Sequence, residues 1–209
     1  DLRTLSSHLI ALRGTQAAPI VRVSWNDPVI IKPILDLAPA GIVVPMVCSG
    51  KEAAKAVKAC RYPPQGIRGF GPIRNMYGID STEEYLSIAS QQIMVFVQVE
   101  HIDAVNNLDE ILETSGLDGI VLGRNDLSGS MGKLGQHNDP EVLEAIDTVF
   151  SKVCQTDLFL GVSIGYNAET VKEWYDKGVQ WFALGDDVVH FYEGAKAVAD
   201  SVHSLEKAT

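Results

Sequence analysis

The sequence predicts an α/β protein in which helices cover a parallel sheet. Two observations carry the prediction: short, continuously apolar runs recur along the chain, and amphipathic stretches at helical spacing separate them. A strand that is apolar at every position is buried on both faces, as parallel strands under helices are, whereas a half-exposed antiparallel strand alternates. A third observation concerns organisation. No low-complexity segment or linker divides residues 1–209, so they read as one domain.

The elements follow in order. Leu2, Leu5, Leu9 and Leu12 recur at helical spacing and stop at Gly14, a residue suited to the turn that ends a helix. Pro19 to Val23 is a short strand. Asp27-Pro28 then places an N-cap before a proline at the first helical position. Ile30, Ile31, Ile34 and Leu35 supply that helix's apolar stripe, and Pro33, lacking an N–H, is expected to confine it to its early turns. Gly41 to Pro45 is the second strand, and Glu52 to Cys60 the helix after it. Residues 61–80 (RYPPQGIRGFGPIRNMYGID) are rich in Gly, Pro and Arg and read as a long ordered loop, a kind of segment that tends to be functional. Ile93 to Val99, Gly119 to Leu122, Phe159 to Ser163 and Trp181 to Leu184 read as buried strands. Helical stretches at about 103–114, 140–154, 167–177 and 188–205 lie between and after them.

Six strands admit two architectures, an open doubly wound sheet or part of a closed (β/α)₈ TIM barrel. A complete barrel has eight strands and typically about 250 residues. At about 30 residues per unit, two more units would add roughly 50–60. The chain opens on Asp1 and enters a helical pattern at once, which fits a barrel whose first two strands lie upstream.

Composition excludes several functions. With 17 Lys+Arg against 27 Asp+Glu the formal net charge is −10, so nothing favours a nucleic-acid backbone as partner. Hydrophobic residues make up 46%, enough to fill a core. Cys48, Cys60 and Cys154 have neither CxxC spacing nor an even count, which argues against a disulfide framework and a structural zinc site. No apolar run approaches the roughly 18 residues of a membrane span. The expectation is a cytoplasmic protein of a reducing compartment, without membrane or nucleic-acid partners.

In either architecture the active groups gather at the carboxyl ends of the strands. Val95-Phe96-Val97-Gln98-Val99 ends in Glu100, and Gln98 and Glu100, two apart, point to the same side. The next strand, Ile120-Val121-Leu122, runs into Gly123-Arg124-Asn125-Asp126. Two acids at the ends of consecutive parallel strands can share a hard divalent cation that keeps several waters for substrate oxygens to displace. The bland alternative makes Glu100 an exposed strand end and Asp126 a helix N-cap. Arg22 interrupts the apolar Ile20-Val21-Arg22-Val23. It either faces a polar cavity, where its fork of donors can clamp a carboxylate or an enolate oxygen, or forms a structural ion pair.

Other features carry less. Gly129-Ser130-Met131-Gly132-Lys133 lacks the first glycine of a P-loop. His8, His101, His137, His190 and His203 show no paired spacing. None of the ten lysines falls in a strand or at its carboxyl end, so a Schiff-base mechanism lacks a nucleophile and a metal is the expected electrophile.

Five segments in order carry a resemblance: Arg22-Val23-Ser24-Trp25-Asn26-Asp27-Pro28, Val44-Pro45-Met46-Val47, Arg61-Tyr62-Pro63-Pro64-Gln65-Gly66-Ile67-Arg68-Gly69, Val97-Gln98-Val99-Glu100 and Asp126-Leu127-Ser128. Together they closely resemble the HpcH/HpaI family of class II pyruvate aldolases, over essentially the whole chain. The resemblance implies a (β/α)₈ barrel, usually a homohexamer, with about six of its eight units in this chain. It implies metal-dependent cleavage of a 4-hydroxy-2-oxo acid or a 2-keto-3-deoxy sugar acid to pyruvate and an aldehyde. By the same resemblance Glu100 and Asp126 hold the divalent metal (Mg²⁺, Mn²⁺ or Co²⁺) and Arg22 stabilises the enolate oxygen. Gln98 and the backbone of Gly123, Asn125 and Asp126 hold the substrate. Ser163 lines the aldehyde pocket, and Asp36 supports an acid–base histidine.

Two departures stand out. The family's acid–base histidine falls upstream of Asp1, so no histidine here takes that role, and these residues are not expected to close a barrel unaided. Gly123-Arg124 also replaces the usual Gly-Pro, so Arg124 either favours an acidic aldehyde or faces outward. One rival is a citrate-lyase-β or malyl-CoA-lyase type of CoA-ester lyase, which would need a basic groove for CoA that the sequence does not show. Another is a non-catalytic relic that binds metal and keto acid.

Overall fold

Six parallel strands in strict chain order organise the protein, in a computed structural model that describes residues 1–206. They are β1 (Ile20–Arg22), β2 (Gly41–Val44), β3 (Met94–Val99), β4 (Gly119–Leu122), β5 (Phe159–Ile164) and β6 (Trp181–Leu184). Each pairs only with its sequence neighbours. Every connection therefore steps in the same direction, and right-handed crossovers place all the helices on one face. A doubly wound sheet reverses its order part-way and carries helices on both faces. The sheet is a curled half-barrel, open between β1 and β6.

Burial confirms the two-sidedness. Ile42, Val44, Val95, Val97, Val99, Ile120, Leu122, Leu160 and Val162 share one large core with helix residues such as Ile31, Val57, Leu108, Val149 and Trp174. The alternate strand residues Val43, Phe96 and Val121 form a separate small cluster with Ile20, Met94 and Trp181. Phe96 and Trp181 stack there, with ring centroids 5.8 Å apart and planes 11° from parallel. This second cluster is the concave face, and polar residues stand at its carboxyl end.

The helices are α1 (Leu2–Ala11), α2 (Pro28–Leu35), α3 (Gly50–Cys60), α4 (Thr82–Gln92), α5 (Ile102–Asn106), α6 (Leu108–Leu112), α7 (Arg124–Ser130), α8 (Pro140–Val153), α9 (Ala168–Asp176) and α10 (Asp187–Glu206). Caps explain their starts. The side chains of Asp27, Ser49, Ser81, Asp139 and Asn167 each accept a first-turn N–H. Gly14 takes the left-handed φ of +79° just after α1, as its position suggested.

Four details differ from the sequence reading. Pro33 does not stop α2, which runs on to Leu35 because Ile31, Ile34 and Leu35 are buried and outweigh one lost hydrogen bond. The stretch at 103–114 is two short helices, α5 and α6. Helix α4 went unread, although Ser81 and Glu84 carry the capping signature: Ser81 accepts the N–H of Glu84, and Glu84 that of Asp80. Helix α7 was also missed, because its Gly and Ser content reads as a turn. No described helix is long and apolar enough to cross a membrane.

Candidate active site

The register of β3 and β4 builds the centre of the site. Val99 pairs with Leu122, and the Gly123 N–H donates to the Val99 carbonyl at 3.0 Å, so Glu100 and the Gly123 turn leave the sheet side by side. Glu100 is 2% exposed. Its Oε1 accepts the backbone N–H of Met46 at 2.9 Å, while its Oε2 is buried with no hydrogen-bond partner. Burial pushes the Glu100 carboxyl above its ordinary pKa. The Met46 N–H opposes that rise, the negative charge of Asp126 adds to it, and the positive charge of Arg22 lowers it.

Two backbone features hold this arrangement. Met46 adopts φ +53°, a left-handed conformation that costs a residue with a side chain about 1–3 kcal/mol. It lies where the chain leaves β2, between Pro45 and the cap of α3, and Glu52 of α3 accepts the N–H of Cys48 at 2.7 Å. At Gly123 an added Cβ would lie 2.6 Å from Glu100 Oε2 and 2.8 Å from Gln98 Nε2. Only glycine lets the turn come this near to both side chains.

A cleft of about 400 Å³ opens at the carboxyl ends of the strands. Arg22, Gln98, Gly123, Asn125, Asp126 and Ser163 all line it, joined by Trp181 and Asp186. Glu100 does not line the wall, but its neighbour Asp126 does. Gln98 is 6% exposed, and its Oε1 has no partner. Arg22 faces this cleft instead of a structural partner. Asp126 is not the cap of α7: Gly123 holds that position, and Asp126 projects from the first turn.

The HpcH/HpaI aldolase/citrate lyase family matches residues 1–193. The chain belongs to this family. The 5-keto-4-deoxy-D-glucarate aldolase of Enterobacter sp. (strain 638) is 36% identical over 203 residues, covering 96% of this chain and 78% of that protein. The 4-hydroxy-2-oxo-heptane-1,7-dioate aldolase of Shigella flexneri is 37% identical over 200 residues, covering 95% of this chain and 74% of that protein. Among solved structures, an HpcH/HpaI aldolase/citrate lyase family protein from Burkholderia cenocepacia J2315 superposes with a TM-score of 0.90 at 27% identity, covering 97% of this chain and 81% of that one.

Within this family member Asp36 is not among the residues that line the cleft. It ends α2, which runs back from the carboxyl end of the sheet, and it pairs there with Lys32 at 2.6 Å and Arg68 at 3.0 Å. Arg124 contributes to the cleft lining, but its guanidinium lies over the Trp174 ring of α9, 5.7 Å from the centroid. That packing in the helix layer favours the outward-facing reading of Arg124.

Three participants were missed. Met46 acts through its N–H, which a search of side-chain chemistry passes over. Asp186 and Trp181 are legible in principle, since Leu184-Gly185-Asp186 places an acid just beyond a strand's carboxyl end.

The donor set suits a hard divalent cation. Glu100 Oε2 is buried without a hydrogen-bond partner and its carboxyl feels the charge of Asp126, a donor chemistry that a divalent cation would satisfy. No group of three His, Cys, Asp or Glu forms a metal cluster among the described residues. Two carboxylates leave the remaining positions to water and substrate oxygens, as Mg²⁺-type sites do.

Proposed function

We infer that this chain is a metal-dependent aldolase, a carbon–carbon lyase that reversibly cleaves a 4-hydroxy-2-oxo acid or a 2-keto-3-deoxy sugar acid to pyruvate and an aldehyde. One observation carries the mechanism: Glu100 Oε2 is buried without a hydrogen-bond partner, and Asp126, whose charge acts on that carboxyl, lines the cleft. Membership of an aldolase family and the names of the two relatives support the activity.

In this reading Glu100 and Asp126 hold a divalent ion, Mg²⁺, Mn²⁺ or Co²⁺. When bound, the ion supplies Lewis acidity at the keto oxygen. Arg22 donates to the same oxygen as negative charge develops on it, an interaction stronger in the transition state than in the ground state. Gln98 and the backbone at Gly123, Asn125 and Asp126 hold the keto acid. Ser163 stands across the cleft, on the side left for the aldehyde. The stacked Phe96 and Trp181 pack against each other on the concave face, and Trp181 reaches the cleft.

Residues 1–209 are read as one aldolase domain of partial-barrel form. A homo-oligomer, hexameric by family resemblance, is supported by the exposed apolar side chains Phe191, Tyr192, Val198 and Val202 of α10. A reducing, cytoplasmic setting is supported by three free cysteines.

The test is pyruvate release from a panel of 4-hydroxy-2-oxo acids with added Mn²⁺, Mg²⁺ or Co²⁺. Metal-stimulated release that EDTA stops is the expected result. A borohydride-trapped pyruvate adduct, cleavage of CoA thioesters alone, or binding of metal and oxamate without turnover would each overturn the reading.

A further inference from the structure

We propose that the left-handed backbone at Met46 is a positioning device for the metal-binding carboxylate. It fixes Glu100 Oε1 so that Oε2 is held free for the cation. The proposal rests on the reading that Glu100 and Asp126 hold a divalent metal, and it concerns how this chain prepares one of those ligands.

Three observations converge. Met46 takes φ +53°, a conformation rarely adopted by residues with a side chain. Such strain persists where surrounding structure over-determines it, and it clusters at functional sites. The N–H of this same residue donates to Glu100 Oε1, 54 positions away in sequence. The other oxygen of the same carboxylate is buried with no partner.

A glutamate's terminal torsion is soft, and an unrestrained carboxylate samples a broad range. One hydrogen bond from a rigid backbone atom removes that freedom. The rigidity comes from both sides of Met46: Pro45 precedes it, and the Cys48 N–H is tied to Glu52 of α3 at 2.7 Å. Gly123 closes the opposite side, where an added Cβ would lie 2.6 Å from Oε2. Glu100 is thereby held from the β2 turn and bounded by the β4 turn. The Met46 N–H lies in the peptide plane shared with Pro45, and the left-handed φ sets how the chain beyond that plane turns toward the cap of α3, so a residue that refuses this φ must rotate the plane or shift the cap. Met46 is a positioning residue, and its side chain is not needed for the role.

The experiment is calorimetric titration of the full chain with Mn²⁺ alone, comparing wild type, Met46→Gly and Met46→Val. Glycine takes the left-handed conformation without strain, so Met46→Gly is expected to bind within about threefold of wild type. A β-branched residue is an outlier there, so Met46→Val is expected to bind roughly 10- to 100-fold more weakly, the range for loss of a partner that orients a metal ligand. Amide hydrogen exchange supplies a second reading that does not require Met46→Val to fold. The Met46 N–H should be protected in wild type and should exchange faster in Glu100→Ala. Equal losses in Met46→Gly and Met46→Val would assign the effect to the side chain and overturn the proposal. So would wild-type affinity in Met46→Val, or Met46 exchange that ignores Glu100→Ala. A wild-type chain that binds no Mn²⁺ sinks the metal reading itself, an outcome distinct from all of these.

Discussion

The two ends of β3 and β4 both bury a charged side chain and treat it in opposite ways. At the amino end Arg61, 8% exposed, donates to the carbonyls of Ile93 at 3.1 Å and Gly116 at 3.3 Å and lies 3.8 Å from Asp118. Asp118 in turn accepts the Val95 N–H at 2.7 Å. At the carboxyl end Glu100 is buried still deeper, yet Oε2 has no partner, and neither has Oε1 of nearby Gln98. Buried polar groups are ordinarily matched, since each unmatched one costs about 1–3 kcal/mol. The amino end therefore reads as a clamp that stabilises the sheet. The carboxyl end reads as a place where stability is given up so that a ligand can complete the hydrogen bonding.

That contrast breaks most easily at Glu100. Glu100→Gln is expected to abolish Mn²⁺ binding by calorimetry and to lower pyruvate release roughly 10³-fold, since metal polarisation supplies several kcal/mol of transition-state stabilisation. Its melting temperature should match or exceed wild type, because a buried charge has been neutralised. A clear loss of stability with Mn²⁺ binding intact would make the carboxyl end structural too.

Arg61→Ala is the mirror experiment. Urea denaturation should show a loss of about 3 kcal/mol, because buried carbonyls lose their donors, while Mn²⁺ affinity stays within about twofold. Equal damage to stability and affinity would mean that the two ends are coupled.

Arg22→Ala separates the ion from its helper. Turnover is expected to fall about 10²-fold, the scale of one lost oxyanion donor, with metal affinity nearly unchanged. Undiminished turnover would remove Arg22 from the enolate role.

Thiol labelling gives the mildest readout. Burial pushes Cys60, beside Arg61, up to about 12. At about pH 8 its thiolate is negligible and a disulfide reagent should leave it unlabelled in the native protein, whereas exposed Cys154 reacts first. In Arg61→Ala the Cys60 rate should rise as the amino end loosens. An unchanged rate would localise Arg61's contribution away from the base of α3.

Much of this was legible locally. Apolar runs announced all six strands, because burial on both faces demands apolar side chains regardless of partner. Asp27-Pro28 and Gly14 marked helix ends through short-range stereochemistry. The chemistry-bearing residues Arg22, Gln98, Glu100 and Asp126 stood out as polar interruptions at strand ends, where the backbone itself requires nothing polar. Helix α4 was missed although its capping pair was present, and α7 because glycine and serine have low helix propensity that tertiary packing overrides.

What the sequence by itself determined is the list of elements and the polar residues at their ends, since both follow from interactions within a few residues. The tertiary structure alone decided the strand order, which makes the sheet a half-barrel with a single concave face. It also decided that Glu100 accepts the Met46 N–H, that Asp36 pairs with Arg68, and that Arg124 lies over Trp174. Each of these joins residues far apart in the chain, and the free energy of such a contact depends on which surfaces the sheet register brings together, a quantity no local pattern contains.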